Sequence, residues 1–199
     1  MTQTHILAGT SAFARPGETL RNVSVLLGSF LPDAAIYALF TWSKAAGIPE
    51  RRVWDEIYWQ EPWRDLTAVG NSVFVWLGLL VAGILVLRTR VAFRVGLALF
   101  FVSVAALLHV ALDFPVHHDD AHRHLWPFSD WVFRSPVSYW DPAHHGRIFI
   151  WIEGTLGLIL AVVLWRRFPA AWVRAILLLL IVAYAAVPAY FTFMLGDGA

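Results

Sequence analysis

The sequence predicts an all-α membrane protein, a polytopic helix bundle with four to five membrane helices and a His-rich loop. Three observations carry that reading. Apolar residues make up 59% of the 199-residue chain and charged residues only 15%, where soluble domains hold roughly 45–50% and roughly 25%. Four segments approach the ~20 apolar residues that cross ~30 Å of hydrocarbon. Seven of the eight histidines fall between positions 109 and 145. The length suits a single domain over 1–199.

The elements follow in order. The N-terminus, MTQTHILAGTSAFARPG, has no basic region followed by a long apolar core, so no cleavable signal peptide is expected. Segment 22–42 is long enough to span, but Pro32-Asp33 interrupts its centre. Proline breaks the helical hydrogen-bond ladder and Asp is costly in lipid. Residues 1–42 are therefore expected as a re-entrant or broken helical hairpin. Residues 43–70 read as a polar connection lying on the interface through Trp54, Tyr58, Trp59 and Trp63. The full spans are expected at 72–88, 92–112, 148–166 and 172–195. Between the second and third lies loop 113–147, where Pro115, Pro127, Pro136 and Pro142 predict turns and extended pieces.

Arg88, Arg90 and Arg94 fill one short loop, and Arg166, Arg167 and Arg174 another. The positive-inside rule makes that side cytoplasmic. The His-rich loop then faces outward, to the periplasm if the membrane is a bacterial inner membrane.

Composition narrows the function. A net charge of +1 gives no argument for nucleic acid, and the absence of Cys excludes disulfides, thiolate metal sites and a Cys nucleophile. No Gly-rich phosphate loop, zincin motif or Gly-x-Ser-x-Gly elbow is present. What remains is the His/Asp chemistry. His109 and Asp113 are four residues apart at the end of a span, so both project from one helical face. An imidazole and a carboxylate so placed can ligate one divalent ion, and their donors suit Zn, Mn or Fe.

His117, His118, Asp119, Asp120, His122 and His124 follow at once, as further ligands, acid/base groups or a solvated polar loop. Asp33, in an apolar run, is a functional candidate, with a turn role at Pro32 as the alternative. Glu153 shares a face with His145 and is a ligand, a general base, or a snorkelling partner of Arg147. His5 alone carries little.

Three stretches, THILAG, GSFLPD and HVALD, occur in this order across most of the chain. The set resembles a family of bacterial inner-membrane proteins described as membrane-bound metal-dependent hydrolases, distantly similar to zinc phospholipase C and P1-type nucleases. HLWPFSDWVFRSPVSYWDPAHHG looks like a subgroup sometimes labelled as cobalamin-biosynthesis proteins. This chain has neither a Cys for a glutaminase site nor a nucleotide-binding loop.

The resemblance implies that His5, Asp33, His109 and Asp113 are metal ligands, helped by His118 or His124, with zinc the expected ion. Asp119, Asp120 or Glu153 would serve as base, and Arg123 or Arg147 would neutralise a substrate phosphate. The implied activity is metal-dependent hydrolysis of a phosphoester or lipid-linked substrate at the membrane surface. Two departures bear on metal number. Asn71-Ser72 stands where the broader family often has His-Ser, and the phospholipase His-x-x-x-Glu pair is absent.

Two readings from other classes stand beside the hydrolase. One is a non-catalytic metal-binding or transport protein. The other is a structural membrane protein whose loop docks a partner. The hydrolase reading also sets a topological condition, because His5 and His109 meet only if 1–42 turns back on itself.

Overall fold

A computed structural model describes residues 1–193. The chain is an all-helical bundle, without strands among the described residues. Its helices are α1 (Thr2–Phe13), α2 (Thr19–Phe30), α3 (Ala34–Ala45), α4 (Glu50–Asp55), α5 (Trp63–Asn71), α6 (Val73–Thr89), α7 (Phe93–Asp113), α8 (Gly146–Arg167) and α9 (Ala171–Phe193).

Four helical runs are long and apolar enough to cross a membrane: Thr19–Ala45, Phe93–Asp113, Gly146–Arg167 and Ala171–Tyr190. A fifth results if α5 and α6, bent by 50° at Ser72, count as one broken span. Alone, α6 has 17 residues, about 26 Å at ~1.5 Å per residue, which is short of the hydrocarbon core. The expected span 72–88 is thus completed only through α5, in the stretch read from sequence as a connection. Residues 194–195 of the last expected span lie outside the described residues.

The break at Pro32 is absorbed by a single 3-10 turn, Leu31–Asp33, which links α2 to α3 in one 27-residue run. Proline lacks the N–H that would carry the ladder on after Leu31, and the chain tightens into a 3-10 turn there without ending the run. α1 is a half-length helix antiparallel to α2. Its C-terminal carbonyls at Thr10, Ser11 and Ala14 all accept from the Arg167 guanidinium. Arg21 adds a bond to the Phe13 carbonyl and lies 4.4 Å from the centre of the Phe101 ring. The α1–α2 turn therefore sits at the arginine-rich end of the bundle, while Thr2 and Asp33 lie together at the other end, joined by a 2.5 Å hydrogen bond. Residues 1–33 form the hairpin that lets His5 reach the end of α7.

Close helix approach depends on small residues. A Cβ at Gly28 would overlap the Val102 carbonyl, and one at Gly9 would overlap the Ser29 hydroxyl. Above the hairpin, Leu39, Val53 and Tyr58 form a buried cluster that packs residues 43–70 over the His-rich end. The loop after α7 folds back on itself: Tyr139 N–H donates to the Val116 carbonyl at 2.9 Å and Ser135 N–H to the His117 carbonyl at 2.9 Å.

Candidate metal centre

His109 and Asp113 end α7 on one face, and one further turn carries that face to His117. The order is i, i+4 and i+8. Asp113 stands at the middle of the cluster. Its Oδ2 lies 2.9 Å from His109 Nε2. Its Oδ1 lies 3.1 Å from His5 Nε2 and 3.3 Å from His117 Nε2. Asp33 Oδ1 is 3.6 Å from His109 Nε2. Two sets of three result, His5–Asp33–His109 and Asp113–His117–His122, each with its donor atoms within 4.8 Å of one another.

These approaches are not aligned as hydrogen bonds. His5 Nε2, His109 Nε2, Asp113 Oδ1 and His122 Nε2 are all buried without a hydrogen-bond partner. A buried polar atom left unpaired costs ~1–3 kcal/mol, so four in one place need a common partner. A divalent cation meets that need, since it accepts a lone pair from each. Donors bound at ~2.0–2.1 Å in a tetrahedron stand ~3.3 Å apart, and the distances of 2.9 to 3.6 Å around Asp113 and His109 bracket that spacing. The donor set of imidazole and carboxylate fits one or two such ions.

Supporting contacts aim the rings. His109 Nδ1–H donates to the Ser29 carbonyl at 2.7 Å, which leaves Nε2 as the lone-pair nitrogen facing the cluster. Asp120 Oδ1 lies 3.0 Å from His117 Nδ1. Burial disfavours a charged His117, but the Asp113 and Asp120 carboxylates at its two nitrogens override this and raise its pKa to about 9. Burial, reinforced by His117, pushes His122 down to about 3, so its ring is neutral and free to ligate.

The centre opens into a cavity of about 940 Å³. His5, Asp33, Asp113, His117, Asp119, Asp120 and His122 contribute to its lining. Burial and the Asp120 charge hold the Tyr58 and Tyr139 phenols, also in the lining, above the usual tyrosine range, so both keep their proton.

The other sequence candidates lie elsewhere. His118 donates from Nδ1 to the Ser135 carbonyl at 2.5 Å and stacks on His144 at 3.6 Å, outside both buried sets. His124 bonds the Asn71 carbonyl at 3.0 Å, its ring 6.0 Å from that of His122. Arg123 does not line the cavity. Its guanidinium is held by Asp65 at 3.0 Å, Asp130 at 3.1 Å and Glu61 at 3.5 Å. Glu153 accepts from Thr4 at 2.7 Å and lines a separate cavity of about 290 Å³ between α8 and α9, so it is no base for this centre.

His117 and His122, rather than His118 and His124, accompany Asp113. The i+4 step from Asp113 was the signal for His117; nothing periodic marks His122. Asn71-Ser72 serves the α5–α6 bend: Ser72 Oγ accepts from Val75 N–H at 3.2 Å, and Asn71 donates to the Thr67 carbonyl at 3.1 Å. No protein-family model, curated protein or solved structure matches this chain.

Proposed function

We propose that this chain is a membrane-embedded, metal-dependent hydrolase acting on a phosphoester, free or lipid-linked, at the His-rich end of the bundle. One observation carries the proposal: buried imidazole and carboxylate atoms without hydrogen-bond partners converge around Asp113 at the floor of an open cavity. His5, Asp33 and His109 would hold one ion, His117 and His122 a second, and the Asp113 carboxylate would serve both. A bound divalent ion supplies Lewis acidity toward a phosphoryl oxygen and an activated water. Zinc is the first ion to test, because the donors are imidazole and carboxylate.

The chain's own residues do the rest. Asp120 orients His117. Asp119, exposed on the cavity lining and outside the two buried sets, is available to accept a proton. Tyr58 and Tyr139, protonated, offer O–H donors along the wall. The bundle beneath closes the floor to water.

The test is elemental analysis of detergent-purified protein beside hydrolysis of bis(p-nitrophenyl) phosphate. We expect stoichiometric metal and a turnover that is lost in His109→Ala and restored to the wild-type chain by re-adding zinc after chelation. Metal without turnover on any phosphoester would favour a second reading, a metal-binding protein. The group Asp119, Asp141 and His144, of which Asp119 is exposed and the other two half-buried, supports that reading. Absence of metal would overturn both.

A further inference from the structure

The imidazoles of the buried sets are not held alike. His109 is aimed by the Ser29 carbonyl, and His117 has the Asp120 carboxylate beside its Nδ1. His5 has no such support, because both of its ring nitrogens are buried without a hydrogen-bond partner. Its Nε2 nevertheless stands 3.1 Å from Asp113 Oδ1. The place of this ring is therefore set by α1 itself, and α1 is set by what its first turn touches.

That turn is pinned by hydroxyls on opposite sides. At ~100° per residue, Thr2 and Thr4 stand about 200° apart around α1, and His5 points into the arc between them. Thr2 donates to Asp33 at 2.5 Å. Thr4, buried, donates to Glu153 of α8 at 2.7 Å and lies 2.7 Å from the Tyr184 hydroxyl of α9. A threonine hydroxyl has one hydrogen, and with that given to Glu153 the Tyr184 O–H is the donor in the second bond. The α8 backbone makes room for this arrangement: a Cβ at Gly157 would lie 2.5 Å from the Tyr184 ring. Leu7, further along α1, packs into the apolar cluster with Ala161, Leu164 and Leu177. Apolar burial is non-directional, whereas two hydroxyl pins on opposite sides oppose rotation of the helix about its axis.

We propose that Glu153 and Tyr184 are positioning residues, which through Thr4 fix the rotation of α1 and so bring the His5 imidazole to Asp113. The consequence for metal rests on the metal reading of that centre; the placement of His5 stands on the hydrogen bonds. It gives α8 and α9, which supply no donor to the buried sets, a part in the chemistry at the end of α7. The amino nitrogen of Met1 lies 3.5 Å from the same Glu153 oxygen. Glu153→Gln separates the two contacts, since it removes the charge and keeps an acceptor for Thr4.

The experiment uses the full chain in detergent with two readouts. One is zinc affinity by competition with a chromophoric chelator. The other is the 15N NMR spectrum of the metal-free, histidine-labelled protein, with the His5 signals assigned from His5→Gln. Thr4→Val and Glu153→Leu are expected to move the His5 signals and to weaken one equivalent of zinc by about tenfold, the low end of the range for outer contacts, leaving the other equivalent unchanged. Thr4→Ser and Glu153→Gln are expected to keep wild-type values in both readouts. Tyr184→Phe, which removes a single hydroxyl, is expected to show the same changes to a smaller degree, and it carries the test if Thr4→Val does not fold.

His5 signals that stay in place in Thr4→Val and Glu153→Leu would overturn the proposal and leave α1 positioned by its apolar contacts. Weakening of both zinc equivalents, with the Tm of the metal-free protein lowered in Thr4→Ser and Glu153→Gln as well, would overturn it in favour of a purely structural role. Moved His5 signals in a protein whose wild-type chain binds no zinc would remove the metal reading and leave the positioning standing.

Discussion

Two clusters of the same residue types lie within one loop of each other and behave as opposites. Around Asp113, His5, His109, His117 and His122 are buried, and several of their nitrogens lack a hydrogen-bond partner. At the rim, His118 and His144 are satisfied locally, the first by the Ser135 carbonyl and the second by Asp141 at 2.6 Å. The rim group is also open to water, which can serve any donor left over. The difference teaches that His/Asp content is a poor guide to metal binding. What matters is whether burial leaves donors that only an ion can satisfy.

Four experiments test this contrast. The largest effect is expected from Asp113→Ala, which removes the carboxylate of one buried set that also lies against His5 and His109 of the other. Tightly bound metal should fall to background, an affinity loss of more than about a hundredfold, since even losses of supporting outer contacts cost ~10–100-fold. Helical content by circular dichroism should hold. Retained metal would place the ions at the rim instead.

Next is metal removal. A site filled at a hundred times its dissociation constant stabilises the fold by ~2.7 kcal/mol. Chelation should therefore lower the Tm of the detergent-solubilised protein by roughly 5–10 °C at ~2–4 °C per kcal/mol, and zinc should restore it. A Tm indifferent to chelator would mean that the buried donors find another partner.

A smaller effect is expected from Arg123→Ala. Arg123 ties the backbone between His122 and His124 to Asp65 on α5 and to Glu61 just before it. Its loss should loosen His122 and weaken one equivalent of metal by about tenfold, with Arg123→Lys recovering part of it. If Arg123 instead met substrate phosphate, metal affinity would not change and only the KM of a phosphoester would rise. The smallest effect is expected from His144→Ala. It should leave the tight metal within about twofold, because its ring sits in a solvated surface group. A loss as large as that of Asp113→Ala would erase the distinction between the clusters.

Much of the architecture was legible in the sequence because it depends on local pattern. Apolar runs flanked by arginine clusters marked three of the four spanning helices, the last three, while the run Thr19–Ala45 was expected to be broken and 72–88 is short by itself; the i, i+4 spacing put His109 and Asp113 on one face. The break expected at Pro32-Asp33 is only a 3-10 turn within one continuous run, and the hairpin turns back between α1 and α2 instead. The helical character of 43–70, and its union with α6 in a bent span, was not, because its polar and aromatic residues suit an interfacial loop equally well.

The site was legible only in part, for a related reason. In a loop without periodic structure, side-chain direction does not follow from residue order. Six His and Asp residues between 117 and 124 therefore gave no hint that His122 turns inward while His118 turns to Ser135.

Residue order alone marked a helical membrane protein with its His and Asp residues gathered at one end of the bundle, since hydropathy and helical periodicity are properties of neighbouring residues. Which of those residues come together is a matter of tertiary packing. His5 reaches Asp113, and Asp33 reaches His109, because α1 and α2 double back through a turn whose carbonyls Arg167 holds. That meeting joins residues about a hundred positions apart, and it depends on the close packing at Gly9 and Gly28 rather than on any local signal.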